Sequence, residues 1–417
     1  MPFNGSGVFS IVNTFVPGTT IFSSAVNANY SDIATGLSTA ILKDGTQTVT
    51  ADIPMSGHKF TNLGAGSAAA DSVRYDQLAL IPNFPGFSNI ARRNGGLGIW
   101  QRGAGGAASI AVGASTTAYT ADGWYLVTGA NQASVVSQQA GIATSSQWCA
   151  RVQRNSGQTG TTAMSFGFPI DTDELYAMLG QFVRVSMTLK AGANWSPSGG
   201  SITLALNVGT GTPVKFSAGY TGAAIPASLT QAITSSAVRY EFGSAAIVPT
   251  TTRQAEITLT WTPVGTAGVN DYVEIDDVQL EVVTDATQVA GPFERLNFLE
   301  QWSLCQRHFQ KSFLYSVAPA QNAGFVGSIT FMAGKAGAGS DFFSWNFPFV
   351  MRGTPAITYF NTSATNAQAR DSVAGADCSS TAASNIAAGS FFTLTTGNAS
   401  TAVGNSLEVH FTADAGI

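Results

Sequence analysis

Two stretches constrain this chain most. Phe182-Val183-Arg184-Val185-Ser186-Met187-Thr188-Leu189 and Glu256-Ile257-Thr258-Leu259-Thr260-Trp261 alternate apolar and polar side chains at a period of two. That period puts the apolar set on one face of a pleated strand and suits no helix. Further short strands are predicted at Ser134–Gln138, Gln147–Gln153, Phe182–Lys190, Ser201–Val208, Ala255–Trp261 and Tyr272–Val282, separated by Gly-, Ser- and Thr-rich turns. Many strands between residues 88 and 293 imply a β-sandwich, most simply a jelly roll. The fold class expected is mainly β.

Composition agrees. Charged residues are 10% of the chain, against roughly 25% in an ordinary globular protein. Solubility must then come from hydroxyls, amides and backbone, as on the solvent face of sheets. The 45 glycines suit the turns such a fold needs. A net charge of −5 with no basic stripe argues against a nucleic-acid partner. Cys149, Cys305 and Cys378 are far apart and odd in number, so buried free thiols are expected. The N-terminus lacks a signal-peptide pattern, and no run of 18 apolar residues occurs, so membrane insertion is not expected. Release as part of a virion is one route by which such a chain reaches the cell exterior.

Helical period appears in two places. Val26, Tyr30, Ile33, Leu37 and Ala40 recur at spacings of 4, 3, 4 and 3, a coiled-coil seam between Ser23 and Leu42. An amphipathic helix on a globular core is the other reading of that pattern. Self-association is preferred because no core lies nearby in sequence, and so short a seam is marginal alone. Residues 1–21 read as an extended segment that needs a partner. Residues 44–70 carry sparse apolar side chains that three wrapped chains would bury together. Asp71 caps a brief helix, and Ile81-Pro82-Asn83-Phe84-Pro85-Gly86 marks a boundary. Farther on, Phe298, Trp302, Cys305, Phe309 and Phe313 predict a helix within 294–314, capped by Asn297. The expected organisation is an attachment segment 1–21, a trimeric shaft with a short coiled coil 22–87, a jelly roll 88–293, and a connecting helix with a second, smaller β domain 294–417.

The chain resembles the tail-fibre proteins of phages and prophages. The N-terminal pieces are Val26-Asn27-Ala28-Asn29-Tyr30-Ser31-Asp32-Ile33-Ala34, Lys43-Asp44-Gly45 and Ile53-Pro54-Met55-Ser56-Gly57-His58-Lys59-Phe60-Thr61-Asn62-Leu63. The middle is similar to their carbohydrate-binding-like jelly roll at Asn94-Gly95-Gly96, Trp100-Gln101-Arg102-Gly103, Ala121-Asp122-Gly123-Trp124-Tyr125 and Val273-Glu274-Ile275-Asp276-Asp277-Val278-Gln279-Leu280-Glu281. Pro292-Phe293-Glu294-Arg295 and Leu304-Cys305-Gln306-Arg307-His308-Phe309-Gln310-Lys311 complete the set. The resemblance implies a homotrimeric receptor-binding fibre in the virion tail. Its N-terminus would join a tail or baseplate protein, and its distal domains would bind a host-surface receptor. It does not name the receptor.

The residues favour binding over catalysis. His58, His308 and His410 lie in separate segments, and no Gly-x-Ser-x-Gly context appears. A depolymerase tailspike would need two carboxylates flanking the glycosidic bond. Asp171, Asp173 and Glu174, or Asp271, Glu274, Asp276 and Asp277, are the candidates, but no β-helix repeat accompanies them. The expectation is a non-enzyme. Glu274, Asp276 and Asp277 are candidate ligands for Ca²⁺. Against that, strand alternation sends Glu274 and Asp276 to one face and Asp277 to the other, as on a solvated strand with an acid bonded to Arg. Asp171-Thr172-Asp173-Glu174 reads as a helix start, and Arg102 and Asp122 as buried partners. Aromatic side chains are the usual sugar platforms. Trp195 on a loop leads, with Tyr125 and Trp148 in the jelly roll and Trp345, Tyr359 and Phe360 in the last domain. Trp100, Trp124 and Trp261 are expected in the core. The function expected is attachment to a host surface polysaccharide. The rivals are a purely structural tail or collar component and a depolymerase. If the seam pairs sister chains, a mass measurement in solution should return three copies. A monomer would sink the fibre reading.

Overall fold

The computed structural model describes residues 12–38 and 89–416. The expectations for Ala40, residues 44–70, the Asp71 helix and the 81–86 boundary lie outside these residues. The described residues belong to two compact units, one holding 12–38 and the other 89–416.

In the first unit, helix α1 spans Ser23–Ser38. Residues 12–22 precede it, and Val12 and Asn13 are hydrogen-bonded to it. The Asn13 amide N–H donates to Asn29 Oδ1 at 2.8 Å, and Asn29 Nδ2 returns a bond to the Asn13 carbonyl at 2.9 Å. Asn13 Nδ2 donates to the Ala25 carbonyl, and the Val12 N–H to Asp32 Oδ2. These bonds occupy the side of α1 that carries Ala25, Asn29 and Asp32. The seam side stays open: Tyr30 is 65% exposed, Ile33 37% and Leu37 62%, with Val26 half-buried.

In the second unit the alternating stretches form a two-layer sandwich. One sheet contains β1 (Ser109–Val112), β4 (Ser134–Ala140), β5 (Trp148–Arg154), β7 (Phe182–Ala191), β10 (Val238–Gly243) and β12 (Tyr272–Val283), in the order β1-β4-β5-β12-β7-β10. The other contains β2 (Thr117–Tyr119), β3 (Tyr125–Val127), β6 (Met164–Ile170), β8 (Ser201–Gly209), β9 (Ala224–Ala232) and β11 (Gln254–Trp261), in the order β2-β3-β6-β11-β8-β9. The strand pairs are antiparallel, and β6, β7 and β8 alternate between sheets, as do β10, β11 and β12. The period-two residues Val183, Val185, Met187 and Leu189 meet Ile257 and Leu259 in the core. Each such buried side chain stabilises by roughly 1.5–3 kcal/mol. Trp124 stacks on Phe166 at 4.8 Å, and with Trp100 it lies wholly inside, as expected.

Strand β12 is buried along nearly all its length and slips register between Asp276 and Gln279, a β-bulge. Asp277 takes a positive φ of 48° there. The loop before the first strand docks on this bulge, with the Val278 N–H donating to the Gly95 carbonyl at 2.9 Å. A Cβ at residue 95 would lie 2.2 Å from the Val278 carbonyl oxygen, so only glycine fits.

Helix α2 is the single turn Thr172–Leu175, capped by Asp171 with Glu174 reaching back. Helix α3 spans Phe298–Gln306, and Asn297 Oδ1 accepts the Glu300 N–H at 3.0 Å, the predicted cap. The predicted continuation through Phe313 is corrected. The chain turns at His308 and enters β13 (Phe309–Lys311), which pairs with β21 (Ser406–Asp414). A spacing of four between Phe309 and Phe313 fits a helix turn and is also twice the strand period. Sheet pairing took Phe309, and Phe313 lies just past the strand; both rings are about 5% exposed. Strand β21 also pairs with β14 (Ile329–Met332), β16 (Ala356–Phe360) and β17 (Arg370–Asp371). Strands β15 (Ser340–Asn346), β20 (Ser390–Thr396) and β19 (Ser380–Ser384) form a three-stranded sheet. This smaller β region has its own core around Phe347, Phe391 and Phe411. Cys149, Cys305 and Cys378 are buried and unpaired.

Buried polar groups fasten the two β regions together. Arg93 Nη1 lies 2.6 Å from His308 Nε2, Arg93 Nη2 donates to the Pro169 carbonyl, and Arg352 Nε lies 3.1 Å from Asp171. His308 Nδ1 faces the Gly416 carbonyl at 3.1 Å, and Nε2 is 2.9 Å from Asp171 Oδ2. Nε2 thus meets both a donor, Arg93, and an acceptor, Asp171, while Nδ1 meets a carbonyl, so no single neutral tautomer satisfies all three contacts. Burial, then the nearby Arg93 charge, pushes the His308 pKa down to about 4. A depressed histidine holds its stabilising contribution above its unfolded pKa, and that contribution fades as pH falls toward 4. Between pH 6.5 and 4 the protein should lose up to about 3 kcal/mol relative to His308→Gln. Parallel melting curves for the two proteins across that range would show the idea to be wrong.

Candidate functional site: a two-lobed cleft on the sandwich

The first lobe has a volume of about 450 Å³ and lies where β5 begins, beside α3. Trp148 opens β5 and is half-buried in the wall. Phe298 and Trp302, four residues apart on α3, share one helix face and stack at 5.7 Å. The Tyr315 ring stands edge-on to both, at 6.2 and 5.3 Å. Phe298 remains 55% exposed, which is a large apolar ring left facing water at the mouth of the lobe. Polar wall groups divide into fixed and free. Tyr315 Oη donates to the Gly98 carbonyl and accepts the Trp100 N–H, both at 3.1 Å. Gln138 is held between the Gly106 N–H and the Gly98 carbonyl. Gln147 and Ser145 are exposed in the same wall.

The second lobe, about 370 Å³, shares Phe293 and Arg295 with the first and adds Thr188, Arg239 and Asp277. Both volumes fall in the range of roughly 300–1,000 Å³ typical of ligand pockets. The β12 bulge directs Asp277 here. Asp277 Oδ2 accepts from Arg295 Nη2 at 2.8 Å, while its buried Oδ1 has no hydrogen-bond partner. Burial, then the neighbouring Asp276 charge, pushes the Asp277 pKa up. Arg239 donates to Ser186 Oγ at 2.6 Å and to the Gly291 carbonyl. Asp276 itself shapes the rim. Its carboxylate accepts from the N–H groups of Ile142, Ala143 and Asp277 and from Ser146 Oγ, all at 2.8–3.0 Å.

The acids proposed for Ca²⁺ do not converge. Glu274 faces Arg151 at 2.5 Å and Lys190 at 3.0 Å, Asp276 faces the loop, and Asp277 faces Arg295. Among the described residues no group of three or more His, Cys, Asp and Glu is placed to hold a metal. Of the proposed sugar platforms, Trp148 lies in the cleft. Trp195 does not: its Nε1 donates to the Gly200 carbonyl at 2.9 Å and its ring packs on Trp261, closing the sandwich end. Tyr125 is buried, with Oη donating to Glu256 Oε1, and Tyr359 is buried with its Oη 3.0 Å from Thr393 Oγ1. Neither presents a face to a ligand. Trp345 is half-buried, edge-on to Phe411. Sequence reasoning missed Phe298, Tyr315, Arg239 and Arg295 as site residues. Pro292-Phe293-Glu294-Arg295 was the available signal for the shared wall.

No family model and no curated protein matches the sequence. Among solved structures, a CBM4 structure overlaps 36% of this chain and 75% of its own, with 16% identity and a TM-score of 0.24. Carbohydrate-binding modules of the β-sandwich superfamily overlap 39% of this chain and 58% of theirs, with 10% identity and a TM-score of 0.29. The enzymatically active domain of bacteriophage CBA120 tailspike protein 4 overlaps 48% of this chain and 22% of its own, with 9% identity and a TM-score of 0.29. At these scores the overlaps assign neither a family nor a ligand.

The rim depends on Asp276. Asp276→Ala strands the Ile142 and Ala143 N–H groups and should cost about 2–4 kcal/mol in urea unfolding. Asp276→Asn should cost less. No change in the alanine variant would show that the loop holds without it.

Proposed function

We propose that this chain is the receptor-binding subunit of a phage tail fibre and that its two-lobed cleft binds a host surface polysaccharide. The observation that carries the reading is the cleft itself, with Trp148 and exposed Phe298 in the same lobe as the free Gln147 and Ser145. Pyranose C–H faces stack on aromatic rings while ring hydroxyls bond to amides and hydroxyls. Arg239, Arg295 and Thr188 extend that polar wall into a second lobe, enough for more than one sugar unit.

Single sugar contacts are weak. Trimerisation through Val26, Tyr30, Ile33 and Leu37 supplies the remedy, since linked sites raise avidity by roughly 10²–10⁴-fold. The exposure of Tyr30, Ile33 and Leu37 on α1 supports that role. In this reading the N-terminus joins the tail or baseplate, and the protein resides in the virion tail. The cleft binds without cleaving. Asp277 is the carboxylate that lines it among the described residues, whereas glycoside hydrolysis takes a pair roughly 5–9.5 Å apart.

The test is adsorption of the full-length protein to host cells and to their extracted surface polysaccharide. Trp148→Ala and Phe298→Ala should each weaken adsorption at least tenfold while leaving the melting temperature within a few degrees. Absence of adsorption by the parent protein would leave a structural spacer. Release of reducing ends from the polysaccharide would mark a depolymerase instead.

A further inference from the structure

A second cleft lies in the C-terminal β region, with a volume of about 300 Å³. Its floor is the outer face of β21, where Glu408 sits between Thr330 on β14 and Arg370 on β17 in direct cross-strand register. Opposite charges in that register ordinarily pair. Here they do not. Arg370 Nη1 donates to Asp377 Oδ1 at 3.0 Å and Nη2 to the Gly375 carbonyl, so its charge is committed elsewhere. Glu408 is left half-buried in the cleft with no ion-pair or hydrogen-bond partner among the described residues.

The walls are held in place before any ligand arrives. Asn361 Oδ1 accepts the N–H groups of Ser363 and Ala364, fixing one wall. The Gly324 N–H donates to the Thr362 carbonyl at 3.0 Å and ties the opposite wall to it. His410 Nε2, 3.0 Å from the Gly324 carbonyl, anchors that wall to β21. Thr362 is 3% exposed, and its Oγ1 is buried without a hydrogen-bond partner. Beside these polar groups Phe325, at the cleft edge, is 67% exposed.

From these placements we infer that the cleft is a binding site for an amino sugar with a free, cationic amine. The ring face of such a sugar stacks on Phe325. Its ammonium group pairs with the Glu408 carboxylate, and its hydroxyls meet exposed Ser363. A neutral sugar would leave the lone carboxylate without a counter-charge, and a plain ammonium ion would leave Phe325 bare. The contact is charge-assisted and therefore among the stronger hydrogen bonds a sugar makes. The site is independent of the two-lobed cleft and shares no lining residue with it.

Titration calorimetry of the full-length protein with a glucosamine tetramer and with its N-acetylated counterpart tests this. The amine form should bind at least tenfold more tightly, and added salt should weaken it. Glu408→Gln, which keeps the shape and removes the charge, should lower affinity at least tenfold without lowering the melting temperature. Phe325→Ala, on a side chain already in solvent, should do the same. Trp148→Ala should leave this binding intact. Equal affinity for the two tetramers, no binding of the amine form, or no effect of Glu408→Gln would overturn the assignment. Loss of binding in Trp148→Ala would also overturn it, by moving the sugar to the sandwich cleft.

Discussion

The sandwich cleft depends on one carboxylate. Asp276 accepts four hydrogen bonds, three of them from the 142–146 loop and one from its neighbour Asp277. Those bonds hold the loop that carries Ser145, Gln147 and the approach to Trp148. The bulge that turns Asp276 toward the loop also turns Asp277 into the second lobe. Docking of Gly95 on Val278 then locks the bulge from the other side. A strand with regular register would send Asp276 and Asp277 to opposite faces.

Charge is scarce here, and much of it is spent inside. Arg93 and Asp171 lie within the junction of the two β regions, and Arg154 pairs with Asp271 at 2.9 Å while both are nearly inaccessible. Arg102 lies between Asp122 and Asp414 and over the rings of Tyr119 and Phe309. Burying such pairs costs desolvation that their attraction only partly offsets, yet removing one partner strands the other. They act as fasteners of specific geometry more than as sources of net stability. The outer surface is left largely to hydroxyls, amides and exposed rings. Glu408, a carboxylate in a cleft without a matching cation, departs from that economy.

Local signals that report on a single element were legible. The period-two runs became β7 and β11, Asn297 became a cap, and the three cysteines became buried thiols. Where two periods coincide the signal failed. Phe309 and Phe313 fit both periods, and pairing with β21 put Phe309 in a strand, with Phe313 buried just past its end. The tryptophans failed differently. Trp148 and Trp195 are both aromatic side chains near the ends of strands, and nothing local separates them. Trp195 finds the Gly200 carbonyl and Trp261, while Trp148 finds open space beside α3.

The amino-acid sequence by itself determined that this chain is mainly β, because side-chain alternation and turn residues act over a few neighbours. It also determined that few charges would be available for recognition. Only the tertiary structure decided which side chains share a cleft. Trp148, Asp277 and Phe298 come from β5, a bulge in β12 and α3, and over a hundred residues separate the first two. Their meeting depends on sheet order, register and the docking of one β region on another, none of which leaves a mark in local periodicity.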